Sequence, residues 1–214
     1  YFMLGLPTET EEDMLEIPAL ADRIARKYYE IPKDDRNGKC QITASSSFFI
    51  PKPFTPFQWA KMYTNEEYIS RAAIVKRGFG QQLNRKSLRY QWHDAEVTVL
   101  EGVFARGDRS ISRVIERAYR KGCLYDAWNE MFDNEKWMES FREEGLAIEF
   151  YNQRERSLDE IFPWDFIDIG VTKEFLKREW KRAMEGEVTP NCRERCSGCG
   201  AARYRGGVCV ESKN

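Results

Sequence analysis

The stretch "YFMLGLPTETEED", Tyr1 to Asp13, decides the fold, because the pattern of a strand gives way here to that of a helix. The apolar run at its start predicts a buried strand that ends at the Gly-Leu-Pro turn. Either Thr8 or Thr10 can cap the next helix, and the acidic residues that follow favour its first turn. Apolar residues then recur at helical spacing to about Tyr29. These are Met14, Ile17, Leu20, Ala21, Ile24 and Tyr28.

A second strand is predicted by "CQITASSSFFI", Cys40 to Ile50, which alternates and is rich in β-forming residues. Strand, helix and strand in this order predict one βαβ unit with parallel strands. Pro51 to Trp59 must be a loop, because its prolines exclude both a helix and a central strand. Further along, the pattern predicts a short extended piece around "RYQWHDAEVTVLEGVFARGD". Helices are predicted over 65–83, 110–121, 124–132, 134–144 and 172–185.

Composition sets broad limits. The chain has 214 residues, of which 42% are hydrophobic and 32% charged, with a formal net charge of -1. This suits one large domain or two small ones with a core of their own. The sequence contains nothing near twenty consecutive apolar residues, so we predict no membrane span and no membrane partner. The near-zero net charge gives no global attraction to nucleic acid.

The start of the chain affects how the cysteines are interpreted. A buried strand at residue 1 needs neighbours on both sides, and the chain supplies none upstream. We therefore expect a C-terminal fragment whose partners include the upstream domains of the same polypeptide. Because no export signal is visible, we expect a cytoplasmic protein whose cysteines are thiols or metal ligands rather than disulfides.

Two stretches resemble radical S-adenosylmethionine (SAM) enzymes. "YFMLGLPTETEED" is similar to a strand, turn and helix of their barrels, written hydrophobic-x-G-x-P-x-E-T in methylthiotransferase-like members. "SSSFFIPKPFTPFQW" is similar to the following barrel strand and its exit loop. Further blocks resemble an uncharacterised radical SAM subfamily with an N-terminal cobalamin-binding-like domain. These blocks are "LEGVFARGDR", "DAWNEMF", "FPWDFIDIGV" and "TPNCRERCSGCG".

The resemblance, from Tyr1 to Cys209, implies an α/β fold in three parts. Residues 1–60 would be the last βαβ part of an incomplete (β/α) barrel, 61–188 a mainly helical extension, and 189–214 a Cys-rich loop tail. It implies an enzyme that uses a [4Fe-4S] cluster to cleave SAM reductively and to abstract hydrogen from an unidentified substrate. The ligands of that cluster would lie upstream, so this chain alone should be inactive. The subfamily also raises cobalamin as a cofactor of the intact protein.

The same resemblance implies a set of cofactor-binding residues. Gly5 would form the tight turn at the carboxyl end of the first strand, and Glu9 would lie at its mouth. Ser45, Ser47 and Phe49 alternate along the second strand, where their backbone or polar side chains would face the adenosine. Glu9 is also a candidate catalytic carboxylate. The structural alternative is that Glu9 caps the helix and that the serines pack a barrel interior.

His93 is the only histidine of the chain and stands beside Asp94. An imidazole next to a carboxylate suggests a general base, so His93 is a candidate catalytic residue. A surface or capping histidine is the commoner alternative.

"EGVFARGDR" brings two arginines, Arg106 and Arg109, close together in sequence. They could clamp a carboxylate or a phosphate. Alternatively, Asp108 caps the helix that begins near Ser110 and the arginines form structural ion pairs.

The tail contains four cysteines, Cys192, Cys196, Cys199 and Cys209. Four thiolates in glycine-containing loops can bind Zn or an iron–sulfur cluster. "CRERCSGC" has the C-x3-C-x2-C spacing of the catalytic radical SAM cluster, but a fourth Cys is present and no barrel follows. We therefore predict a separate metal site, either Zn or an auxiliary Fe-S cluster, which the spacing does not distinguish.

A second function class also fits the tail. Arginines surround the thiolates, and a zinc knuckle of this kind can dock RNA or a protein partner. The barrel part would then be only a scaffold. These arginines are Arg193, Arg195, Arg203 and Arg205.

Overall fold

The computed structural model describes residues 1–204, so the predicted metal ligand Cys209 and the neighbouring Arg205 lie outside the described residues. The described part is mixed α/β, with three strands and seven α-helices. The strands are β1 (Phe2–Leu4), β2 (Ile42–Phe48) and β3 (Leu88–Trp92). The helices are α1 (Glu11–Tyr29), α2 (Asn65–Gln81), α3 (Ala95–Arg106), α4 (Ile111–Arg120), α5 (Asn134–Glu143), α6 (Ile148–Asn152) and α7 (Lys173–Met184).

The strands form one parallel sheet in the order β1-β2-β3. Leu4 of β1 is paired with Phe48 of β2, and Ser46 of β2 is paired with Trp92 of β3. The predicted parallel βαβ unit is confirmed. The sheet also continues past residue 60, because α2 and β3 add a second unit of the same kind.

Capping explains where the first two helices begin. The Thr10 hydroxyl accepts a hydrogen bond from the Asp13 amide, and the Asp13 carboxylate accepts one from the Thr10 amide. Thr64 and Glu67 make the same reciprocal pair at the start of α2. This capping box satisfies amides that have no partner within the helix. Of the two predicted caps, Thr10 is therefore the one that is used.

Helices α1 and α2 cover the same face of the sheet. Leu4, Ala44 and Leu88 from the three strands share one hydrophobic core with Ala21 of α1 and Val75 of α2. The two helices also pack against each other. Sequential parallel strands with both crossover helices on one face occur in (β/α) barrels and also in each half of a doubly wound sheet.

The opposite face of the sheet is mostly polar and partly exposed: Ser45 is 8% exposed, Ser47 is half-buried, and Met3 of β1, in register with Ser47, adds an exposed apolar side chain. By strand alternation it carries Thr43, Ser45 and Ser47 of β2, with Arg89 and Gln91 of β3. The register pairs Thr43 with Arg89 and Ser45 with Gln91. Thr43, Arg89 and Gln91 are exposed. Parallel sheets are normally covered on both faces, so this surface is unusual for an isolated domain.

The helical extension has two further cores. One lies among α3 to α6, and its buried residues include Val103, Val114, Phe141 and Tyr151. The other joins the loop after β2 to α7, with Phe49, Trp59, Phe162, Trp164, Leu176 and Trp180. The indole of Trp164 donates to Gln58 Oε1 at 2.9 Å, and this contact fixes the extension onto the loop.

The region after β3 differs from the prediction. The extended piece ends at Trp92, and residues Ala95–Arg106 form α3, capped by Asp94, whose carboxylate accepts from the Val97 amide. The predicted helix over 124–132 is a series of turns with exposed Leu124 and Trp128. Without a buried face, this short segment lacks the tertiary packing on which most helix stability depends.

None of the helices among residues 1–204 is long and apolar enough to span a bilayer.

Candidate functional site

The turn after β1 lies at the carboxyl edge of the sheet, as predicted. Gly5 adopts φ +85° and Thr8 adopts φ +69°, both in the left-handed region. A Cβ at Gly5 would lie only 2.7 Å from Cε1 of Tyr68, so the turn requires glycine for conformation and for space. The Gly5 amide donates to both carboxylate oxygens of Glu9, at 3.0 and 2.9 Å.

Glu9 is turned back onto this backbone. Its side chain is 6% exposed, and Oε2 lies 3.5 Å from Nε of Arg71. The guanidinium of Arg71 in turn stacks over the ring of Tyr63 at 3.4 Å. Burial raises the pKa of Glu9, against the opposing effects of the Gly5 hydrogen bond and the Arg71 charge. Glu9 therefore holds the turn through the Gly5 amide in this arrangement.

The residues predicted on β2 separate into two environments. Ser45 and Ser47 lie on the polar face, with Gln91 beside Ser45. Phe49 is 5% exposed and packs edge-to-face on Phe57, with ring centroids 5.7 Å apart. Phe49 thus packs the core beneath α7, whereas the two serines share the opposite, mostly polar face, where Ser45 is buried and Ser47 is half-buried.

Several residues to which the sequence did not point also lie near this edge of the sheet. Gln91 and Arg89 join the serines only through the register of β3, which the sequence does not reveal. On the helix-covered face, the Ser46 hydroxyl and the Tyr90 hydroxyl are 2.7 Å apart. The Tyr68 hydroxyl donates to the Phe49 carbonyl at 2.7 Å and thereby ties α2 to the end of β2.

A small cavity of about 180 Å³ lies at the mouth of β1. Its walls combine turn residues with residues of the extension. They include Gly5, Pro7, Lys61, Tyr63, Glu155 and Trp180. The extension therefore lies over the carboxyl end of the sheet, next to the Gly5 turn.

His93 continues the ladder beyond β3. Its amide donates to the Ser46 carbonyl at 3.0 Å, and its side chain is exposed. The neighbouring Asp94 carboxylate accepts from the Val97 amide at 3.0 Å as the cap of α3. Asp94 is thus engaged as a helix cap, and this geometry favours the interpretation of His93 as a surface residue.

The described part of the tail is docked on the start of α7. The Thr172 amide donates to the Cys199 carbonyl at 2.9 Å. A Cβ at Gly200, which has φ +103°, would lie 2.9 Å from the carbonyl oxygen of Gly170. Cys192 and Cys196 are exposed, and Cys199 is half-buried. Within residues 1–204, no three His, Cys, Asp or Glu side chains are placed to hold a metal ion together.

Comparison with known proteins finds an archaeal relative. Over 146 residues, 68% of this chain, the sequence is 25% identical to an uncharacterized protein of Methanocaldococcus jannaschii. The matched region covers 29% of that protein, so the chain spans less than a third of its relative's length. No protein-family model matches the chain. No solved structure matches it either.

The chemistry available at this edge is mainly that of binding. Glu9 and Asp94 are engaged in a turn and a cap. Ser45, Ser47 and Gln91 present hydroxyl and amide groups that donate and accept hydrogen bonds. The arrangement supports orientation of a polar ligand against the polar face of the sheet.

Proposed function

We propose that this chain is the C-terminal portion of a radical SAM enzyme, in which its sheet forms part of a (β/α) barrel. The observation that carries the proposal is the sequential parallel order of β1, β2 and β3, with α1 and α2 on one face and a mostly polar opposite face. In a closed or partly closed barrel such a face lines the interior, where the ligand of a (β/α) fold binds near the carboxyl edge. The sequence resemblance at Tyr1 to Asp13 supports the same assignment.

The residues of the polar face fit the proposed ligand. SAM carries a ribose, an adenine and an aminocarboxylate, all of which need hydrogen-bonding partners. Ser45, Ser47 and Gln91 offer such partners, and the Gly5 turn shapes the edge above them. A [4Fe-4S] cluster held upstream would supply the one-electron cleavage of SAM. The residues of this chain would bind and orient SAM and exclude water, and Glu9 would act by holding the turn.

The cysteine tail would be a separate metal site in this enzyme. In this proposal Cys192, Cys196 and Cys199 would supply three thiolate ligands, and Cys209 would supply the fourth. The docking of Cys199 on Thr172 attaches this site to α7, the helix that closes the cavity at the mouth. Either Zn or an auxiliary iron–sulfur cluster satisfies the ligand set. Cobalamin would belong to the upstream region of the intact protein.

The test uses the longer protein that contains the preceding region. Purified without oxygen, reconstituted with iron and sulfide, and given SAM with dithionite, it should form 5′-deoxyadenosine. The 214-residue chain alone, treated identically, should form none. A reconstituted long protein that holds iron and sulfide but yields no 5′-deoxyadenosine would contradict the assignment.

The second candidate is a zinc-knuckle module that binds RNA. Arg193 and Arg195 are exposed next to the exposed Cys192 and Cys196, which is the observation in its favour. A colourless protein with one Zn per chain and salt-sensitive RNA binding, lost when both arginines are replaced by alanine, would support it. Replacement of the exposed Arg85 and Lys86 is the matched control. No RNA binding at low salt would remove this candidate.

A further inference from the structure

Two arginines are buried where the sheet meets the helical extension. Arg106, the last residue of α3, is 1% exposed, and Arg156, which follows α6, is 5% exposed. Nη2 of Arg156 donates to the Arg106 carbonyl at 3.1 Å, and Nη1 of Arg106 donates to the Asn152 carbonyl at 3.4 Å. The Arg156 amide donates to the Trp59 carbonyl at 2.9 Å. These four residues form one connected, buried shell.

The shell contains more donors than acceptors. Nε and Nη2 of Arg106, Nε of Arg156 and Nε1 of Trp59 are buried, and none has a hydrogen-bond partner among the described residues. In the same shell only one buried side-chain acceptor, Oδ1 of Asn152, lacks a partner. Buried polar groups in native proteins are almost always satisfied, so a concentration of four unpaired N–H donors indicates a missing acceptor.

Charge leads to the same conclusion. Two carboxylates act on the shell: that of Asp108, whose charge acts on Arg156, and that of Glu160, which accepts from both terminal nitrogens of Arg154 at 2.7 Å. The carboxylate of Glu160 lies 3.9 Å from Nη1 of Arg156, so its charge is shared among the guanidinium groups of this region. Burial and the charges of Arg156 and Arg154 lower the pKa of Arg106 to about 9. A buried cation in a native protein is ordinarily paired with an anion.

We propose that this shell binds a small inorganic monoanion of the halide type. Arg106 is nearly inaccessible from the surface, so a nucleic acid or an acidic peptide could not reach its Nε. A halide ion needs little space, and the proposal places the unpaired N–H groups of the shell around it. The bound ion would accept hydrogen bonds from Trp59 in the loop after β2, from Arg106 in α3 and from Arg156 in the segment after α6. The anion would therefore fasten the helical extension to the sheet, independently of any activity at the mouth of β1.

The first test is anion-dependent stability of the chain. Thermal unfolding is measured in sodium chloride and in sodium gluconate at equal ionic strength. Chloride should raise the midpoint of the wild-type chain by ~3 °C or more and should do so saturably, as expected for a ligand of the folded state. Arg106→Met should abolish the chloride effect, and Arg109→Met, which changes an exposed arginine, should retain it. Equal midpoints in both salts, or a full chloride effect in Arg106→Met, would overturn the proposal.

The second test is direct and does not depend on a variant that folds. Crystals of the wild-type chain grown in sodium bromide should show an anomalous peak within about 3.5 Å of Arg106 Nη2 and Arg156 Nε. A water molecule on these donors, with no bromide in the shell, would refute the anion assignment.

Discussion

Gly78 of α2 packs directly against Pro18 of α1, and a Cβ at Gly78 would lie 2.8 Å from Pro18 Cγ and 3.0 Å from Leu15 Cδ2. Both Gly78 and Pro18 are buried within their helices. The pair sets the distance between the two helices that cover the sheet. A glycine in a helix interior normally destabilises the helix, so here the close approach explains its presence.

Gly78→Ala should destabilise the chain by about 1–3 kcal/mol, because the added methyl group forces α1 and α2 apart. Gly80→Ala is the matched control, since Gly80 lies in the same helix, is exposed, and has open space where a Cβ would lie, with no neighbouring atom within 4 Å. Because Gly80 is the second-last residue of α2, that control should raise the free energy of unfolding by at most about 0.5–1 kcal/mol, through helix propensity alone. Urea unfolding measures the free energy of unfolding of both variants. An equal increase in the two variants would contradict the close packing of Gly78 on Pro18.

Asp22 links α1 to the segment before β3. Its Oδ1 accepts from the Asn84 amide at 2.8 Å and from Asn84 Nδ2 at 3.0 Å, and Oδ2 accepts from Arg26 at 3.1 Å. Burial opposes ionisation, but these hydrogen bonds outweigh it and lower the pKa of Asp22. Asp22→Asn should therefore lower the free energy of unfolding by about 1–3 kcal/mol near neutral pH, because the donors of Asn84 and Arg26 lose the carboxylate that accepts their hydrogen bonds.

The pH dependence of this cost has a defined sign. A lowered pKa means that the stabilisation is complete above the unfolded-state value of 3.8 and is lost as pH falls through the folded-state pKa. The difference in free energy of unfolding between wild type and Asp22→Asn should thus be constant near neutral pH and should shrink below pH 3.8. Asp34→Asn, at an exposed aspartate, should have no measurable effect. A difference that grows on acidification would be inconsistent with the hydrogen bonds described.

Local patterns predicted the first half of the fold. Thr10, the apolar period of α1 and the alternation of β2 act within a few residues, so one sequence is enough to find them. The helix over Ala95–Arg106 was missed because valines and a threonine in "AEVTVLEGVF" favour strands, whereas burial against α6 decides the outcome. Segment 124–132 shows the reverse case, a local helical pattern without a surface to pack on.

For the candidate site, the sequence predicted where residues lie within their own strand or turn, but not which residues distant in sequence they contact. Gly5 and Glu9 do lie at the mouth of β1, and Ser45 and Ser47 do share a face. The orientation of Glu9 depends on Arg71 and Tyr63, which are distant in sequence. The placement of Gln91 depends on the register of β3. Such contacts follow from tertiary packing, which residue spacing does not encode.

Tyr68→Phe should destabilise the chain by about 1–3 kcal/mol, because it leaves a buried carbonyl without its hydrogen bond. Tyr68 is 0% exposed, and its hydroxyl lies 2.7 Å from the carbonyl oxygen of Phe49. Tyr119→Phe is the control, because Tyr119 is 63% exposed and its hydroxyl is free to bind water. Denaturant unfolding compares the two variants, and a loss below about 0.5 kcal/mol in Tyr68→Phe would show that the carbonyl finds another partner.

Glu9 should make stability fall as pH rises. Because burial raises its folded-state pKa above the ordinary value of 4.5, the folded state binds the proton more tightly than the unfolded state does. Stability of the wild type relative to Glu9→Gln should therefore decrease as pH rises from 4.5 through the raised pKa. Glu130→Gln, which changes an exposed glutamate in the turns between α4 and α5, is the control. A relative stability that increases over this range would reverse the assigned direction.

Ser46 and Ser47 are neighbours on β2 that face opposite sides of the sheet. Variants at the two positions can therefore test the stability of the fold and the proposed SAM binding separately. Ser47→Val on the polar face of the longer protein should raise the SAM concentration for half-maximal 5′-deoxyadenosine formation about tenfold, the loss of roughly one hydrogen bond. Ser46→Ala should instead lower the unfolding midpoint by a few degrees, because it removes the 2.7 Å contact with Tyr90. It should leave the SAM requirement within about twofold of wild type, since a twofold change is well below the energy of one hydrogen bond. If Ser46→Ala alone weakened SAM use, the ligand would belong on the helix-covered side, and the barrel-interior assignment of the polar face would be wrong.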